Sequence, residues 1–128
     1  MNTRWERVFV GDQNDLAWRH PEFNAIIQVN ASCSPSMDIP LRALTNHLLI
    51  GFTEREIQEQ KLLPMAGREA LRTHLTAKLD GVPREMVFDV LKKDGCVYDF
   101  SLIAPPDARF SRALKDYLSL IAGFRSRS

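Results

Sequence analysis

Apolar and polar residues alternate with a period of two along most of this chain, and an apolar stripe of helical period occurs twice. Near the start, Trp5, Arg7 and Phe9 alternate with Glu6, Val8 and Val10, which predicts a strand over Arg4–Val10. Gly11-Asp12-Gln13-Asn14-Asp15 follows as a turn cluster of residues that tolerate turn geometry. Leu16–His20 predicts a short strand with Leu16 and Trp18 on one face, and Pro21-Glu22 breaks the chain. Asn24–Ser32 resumes the alternation, with Ala25, Ile27 and Val29 set against Ile26, Gln28 and Asn30. Ser32–Ser36 reads as a loop.

The period then changes. Asp38 and Pro40 suit a helix start, since Asp caps free N–H groups and Pro has none to lose. Leu41, Leu44, Thr45, Leu48 and Leu49 follow the stripe of a helix buried on one side, and Gly51 stands at its C-terminal stop. Thr53 and Glu56 have the spacing of a capping box, which predicts a short polar helix reaching about Gln60.

From Arg68 to Asp80, Leu71, Thr73, Leu75, Ala77 and Leu79 share one face and Arg72, His74, Thr76 and Lys78 the other. A helix would scatter these leucines, so the segment reads as a strand. Gly81-Val82-Pro83 is the next turn. Glu85–Lys92 and Cys96–Ala104 flank Lys93-Asp94-Gly95, a strong hairpin signal. Pro105-Pro106-Asp107 ends the sheet and opens a last helix with Phe110, Ala113, Leu114, Tyr117, Leu118 and Ile121 as its stripe. Gly123 closes that helix, and Arg125–Ser128 is a short basic tail.

The predicted order is three strands and a helix, twice over. Tight turns imply mostly antiparallel pairing, because parallel neighbours need long crossovers. Met86, Phe88 and Val90 with Tyr98, Phe100 and Leu102 read as one apolar face of the last hairpin; Val87, Leu91, Val97 and Ile103 make the other partly apolar. Two apolar faces call for a helix on each, or for a partner on one. The expectation is an α+β fold: a three-layer α/β/α sandwich, with a central, mostly antiparallel sheet of about six strands and two main helices. Residues 1–128 are expected to form a single domain.

Composition narrows the functional classes. The 128 residues are 45% apolar and 26% charged, values typical of a globular chain. Seventeen basic and sixteen acidic residues leave a net charge of +1, which weakens the case for a partner held mainly by charge. Between Arg68 and Asp94 the two signs interleave, and the tail Arg125 and Arg127 is short, so no nucleic acid partner is expected. No apolar run approaches the ~20 residues of a membrane span. Met1–Val10 lacks the basic start and apolar segment of a secretory signal. A strand so close to Met1 reads as a trimmed N-terminus, with a cytosolic start as the alternative.

Candidate chemistry is sparse. His20, His47 and His74 fall on a turn, a helix and a strand without ligand spacing, so no metal is expected and they read as ordinary histidines. Cys33 ends one strand and Cys96 begins another, where they meet if both lie at one end of the sheet. They read as two buried thiols, or as a disulfide in an oxidising compartment. A nucleophilic pairing of Cys33 with His47 or His74 has no local support. Glu54, Glu56 and Glu59 read as a solvated surface, and Gly67-Arg68-Glu69 is no phosphate loop. No catalytic residue and no cofactor is therefore expected.

Several phrases carry a family likeness. Ala25-Ile26-Ile27-Gln28-Val29-Asn30, the helix Leu41 to Gly51, Gly67-Arg68-Glu69-Ala70-Leu71, and Lys92-Lys93-Asp94-Gly95-Cys96-Val97-Tyr98-Asp99, followed by a helix ending Ala122-Gly123-Phe124, resemble the PsbP/Mog-like superfamily. The nearest branch is its uncharacterised bacterial members, many of them predicted lipoproteins. The resemblance implies an α/β/α sandwich around an antiparallel sheet. It also implies a missing opening strand of which Thr3-Arg4-Trp5-Glu6-Arg7 looks like the tail, and with it a missing export signal. Characterised relatives are non-enzymatic, acting in the photosynthetic oxygen-evolving complex or on the Ran GTPase, and none of their functional positions maps onto this chain.

The expected function is a non-enzymatic accessory or protein-interaction domain of the bacterial envelope. Its partner is an unidentified protein, and the full-length form has room for a lipid anchor. A cytoplasmic location goes with the untrimmed reading. The alternatives are a small-ligand carrier or sensor, which needs an apolar pocket, and an enzyme, which needs His74, Cys33 and a carboxylate in one cleft.

Overall fold

Seven strands form one antiparallel sheet, with neighbours in the order β1-β2-β3-β7-β6-β5-β4. The strands are β1 (Glu6–Val8), β2 (Asp15–His20), β3 (Ala25–Cys33), β4 (Phe52–Met65), β5 (Arg68–Leu79), β6 (Val82–Lys93) and β7 (Cys96–Ala104). Helix α1 (Leu41–Leu48) joins β3 to β4, and α2 (Ala108–Ala122) follows β7. The computed structural model describes residues 4–8, 15–33 and 39–124. The predicted turn at Gly11–Asn14, Phe9-Val10, Ser34–Ser36, the cap Asp38 and the basic tail lie outside the described residues.

The C-terminal meander is drawn by local turn chemistry. Ala66-Gly67, Asp80-Gly81 and Asp94-Gly95 all take positive φ at both positions, the type I′ geometry that matches the twist of a two-residue hairpin. Glycine at each second position meets this need without strain. The turn expected at Gly81-Val82-Pro83 therefore falls one residue earlier, at Asp80-Gly81, and Pro83 lies inside β6 opposite Lys78.

The polar helix expected from Thr53 to Gln60 is instead part of β4, which raises the strand count from about six to seven. Its capping-box spacing is a coincidence of composition. β4 is an edge strand, and charged residues and bulges are how edges avoid pairing with other chains. Register shifts interrupt its pairing between Thr53 and Glu56 and between Ile57 and Glu59. Glu54, at one of these irregularities, has φ of 50°. Closer to the turn, Met65 pairs with Arg68, so these two exchange the hairpin's closing hydrogen bonds. Pro64 is then at an outward-facing site, where it removes a donor from the free edge.

Pairing parity also reassigns the faces of the last hairpin. Lys93 pairs with Cys96, so even-numbered β6 residues oppose odd-numbered β7 residues: Phe88 faces Ser101, and Val87 faces Leu102. Met86 and Phe88 therefore share a face with Ile103, while Val87 and Leu91 share the opposite face with Phe100 and Leu102. The grouping of Met86, Phe88 and Val90 with Tyr98, Phe100 and Leu102 ignored this offset.

Each face has its helix. On one, Leu49 at the end of α1 packs with Leu75, Ala77, Met86 and Phe88. On the other, Phe110, Ala113, Tyr117 and Ile121 of α2 pack with Ile27, Val87, Leu91, Phe100 and Leu102. α2 starts cleanly because Asp107 accepts a hydrogen bond from the Arg109 backbone N–H at 2.9 Å. The Arg109 side chain adds further bonds, and together they lower the Asp107 pKa from 3.8 to about 2.

Candidate functional site

α2 lies over β7 and β3 and leaves part of the same face of β5 and β4 open beside it. Two depressions occupy that strip. One, of about 150 Å³, lies between Glu59, Lys61, His74, Phe110 and Leu114. The other, of about 290 Å³, lies between Leu63, Met65, Ile121 and Phe124. Arg72 and Leu118 line both, so the two form one groove running along α2. Leu118 is 39% exposed although it belongs to the apolar stripe of its helix.

Under the groove lies a buried ionic network. Asp89 stands directly opposite Arg72 in the β5–β6 register and is 0% exposed. Arg72 Nε donates to Asp89 Oδ1 at 2.7 Å and Nη2 to Oδ2 at 3.3 Å. Tyr117 of α2 donates its hydroxyl to Oδ2 at 2.7 Å. A buried carboxylate is costly without such partners. Burial, and then the Asp89 charge, raise the Tyr117 pKa well above its usual value, so the phenol stays a donor. A charge inside the apolar run Met86-Val87-Phe88-Asp89-Val90-Leu91 was the signal for this network, and the sequence reading did not single it out.

His74 sits one pleat along. Its Nε2 is 2.6 Å from Glu85 Oε2, and its ring stacks on Phe110 at 5.3 Å. The other histidines are elsewhere. His47 is exposed at the end of α1. His20 is fully buried, its ring stacked on Phe23 and edge-on to Trp5. Its Nδ1 accepts from the Phe23 N–H at 3.1 Å, while Nε2 has no hydrogen-bond partner among the described residues. Among the described residues no three metal-ligating side chains converge.

Cys33 and Cys96 are directly paired across β3 and β7, with Cα atoms 4.0 Å apart, and a disulfide joins them. Cys33 therefore does not meet His47 or His74. Glu54, Glu56 and Glu59 are exposed on β4 rather than on a helix. Gly67-Arg68-Glu69 forms the β4–β5 turn and the first residues of β5, beside an open depression of about 430 Å³ that Leu62 and Pro64 also line. Among the described residues no helix is long and apolar enough to cross a membrane.

The arrangement is a PsbP-like fold. It is similar to that of PA94, a protein of unknown function from Pseudomonas aeruginosa, with a TM-score of 0.75 and 11% identity over 98% of this chain and 99% of that one. It is also similar to cyanobacterial PsbP, CyanoP, from Synechocystis sp. PCC 6803, with a TM-score of 0.65 and 16% identity over 95% and 81% of the two chains. A chain from Bacteroides thetaiotaomicron aligns with a TM-score of 0.56 and 9% identity, over 85% of this chain and 39% of that one. No family model matches the sequence, and no curated protein does. At these identities the likeness concerns the fold.

Proposed function

We propose that this chain is a non-enzymatic protein-interaction domain of the bacterial envelope, and that it receives a partner segment in the groove between α2 and the β4–β5 hairpin. The architecture supports this as a three-layer sandwich in which α2 covers only part of its face. The carrying observation is the groove itself: Leu118 and half-buried Leu63 and Leu114 line an open channel whose floor is ordered by the Arg72–Asp89–Tyr117 network. A small-ligand carrier encloses most of its ligand, whereas these depressions are open to solvent. The envelope assignment rests on the Cys33–Cys96 disulfide, since such bonds persist in oxidising compartments. Attachment there by a lipid anchor follows the predicted lipoproteins of the bacterial branch that the sequence resembles.

The test is affinity capture of the tagged full-length protein from separate envelope and cytosol fractions of its source cells, compared with Leu118→Glu. The expected result is a stoichiometric envelope partner that the folded variant no longer retains. Empty captures from both fractions, or a partner indifferent to the substitution, would overturn the reading and move effort to ligand screening.

A further inference from the structure

Asp89 orients Arg72 without occupying all of it. It takes Nε and Nη2, and Nη1 makes no hydrogen bond to any described residue. The side chain is 22% exposed and stands where the two depressions meet. A guanidinium holds five N–H donors in a rigid fork, so the edge turned away from Asp89 presents donors at a fixed point of the groove. Lys61 lies opposite Arg72 in the β4–β5 register, on the same face, and supplies a second cation at the rim. The acid beside it is Glu59, whose Oε1 is 3.6 Å from Lys61 Nζ. Apolar walls extend both ways, with Phe110 and Leu114 on one side and Leu63, Ile121 and Phe124 on the other.

We propose that the groove selects a partner peptide segment in which one acidic side chain is flanked on both sides by apolar ones. Its carboxylate accepts from Arg72 Nη1, with Lys61 alongside, and its apolar neighbours fill the two depressions. This deepens the protein-interaction reading and rests on it. The central position of the cation decides the class of occupant. A fatty acid carries its carboxylate at one end and leaves one depression empty, whereas a peptide matches the apolar, charged, apolar order along α2. The recognition is charge-assisted, and a fixed fork favours a carboxylate over an amide of the same shape.

Fluorescence polarisation with two short labelled peptides tests this, the two differing only in a central Glu or Gln between leucines. The Glu peptide is expected to bind roughly tenfold more tightly. Arg72→Lys keeps a charge on Asp89 but loses the fork, and should bring the two peptides close to parity. Lys61→Gln, at an exposed site on the edge strand, should weaken only the Glu peptide, by a few-fold. Long-chain fatty acid should fail to displace the Glu peptide. Equal affinity of the two peptides, a Glu preference that survives both substitutions, no binding of either peptide, or efficient displacement by fatty acid would each overturn the proposal. Equal binding that Leu118→Glu abolishes removes the acid preference and leaves the interaction reading standing. A natural partner indifferent to Leu118→Glu removes both.

Discussion

The sheet face beneath α2 is two surfaces in one. Along β3 and β7 it presents Ala25, Ile27, Phe100 and Leu102, all buried against the helix. Across β5 and β4 the same face presents Arg72, His74, Lys61 and Glu59, which line the groove. The backbone is continuous between them, so the change comes from what the helix covers. The stripe of α2 divides the same way. Phe110, Ala113, Tyr117 and Ile121 are buried, while Leu114 and Leu118, one step around the helix, turn to the groove. A helix narrower than its sheet makes a buried core and an open groove from one amphipathic pattern.

The sharpest way to break this contrast is to truncate one residue on each side. Phe100→Ala should lower stability by about 3–5 kcal/mol, and Leu118→Ala by less than about 1 kcal/mol, both read from urea denaturation. A similar loss from the two would mean that the groove wall is core. Replacing Cys33 and Cys96 together by Ser removes a cross-link between residues 63 apart in sequence, worth roughly 4 kcal/mol of denatured-state chain entropy. The bond joins β3 to β7, away from the β4–β5 hairpin, so peptide affinity at the groove should stay unchanged once the variant is folded.

At the boundary, Tyr117→Phe leaves Asp89 Oδ2 one donor short and should cost about 1–3 kcal/mol. A cost near zero in the same denaturation experiment would show that Arg72 alone satisfies the carboxylate. Pro64→Val should leave stability within about 0.5 kcal/mol yet restore a donor to the free edge of β4. Concentration-dependent self-association in sedimentation is the expected change. The smallest effect is at Asp107. Its folded pKa, about 2, lies below the reference 3.8, so its stabilisation is complete above that range and is lost as pH falls toward 2. The acid side of the stability–pH curve should flatten in Asp107→Asn.

The antiparallel α+β plan was legible where local chemistry dominates. Asp94-Gly95 declares its hairpin, and the alternation through Leu71, Thr73, Leu75 and Ala77 excludes a helix. The Leu41–Leu49 stripe and the Pro105-Pro106-Asp107 start also mark the two helices. β4 was misread because an edge strand is polar for reasons of negative pairing, and Thr53 and Glu56 then imitate a cap. The groove was less legible still. Leu114 and Leu118 look like any other stripe residues until the width of the helix is known. Arg72 becomes a site residue only through its register with Asp89, a contact made across the sheet.

The strand order also sets how far along the chain each strand must reach for its neighbours. β4, β5, β6 and β7 are each neighbours of the strand next in sequence, and local contacts of this kind form fast. β3 differs: its neighbours are β2 and β7, and α1 and three strands separate it from β7 in the chain. The β1–β3 segment is therefore completed last. Until β7 and α2 dock, a folding chain carries β3 with an open edge and with Ile27 uncovered, and an open edge over apolar surface is where misassociation starts.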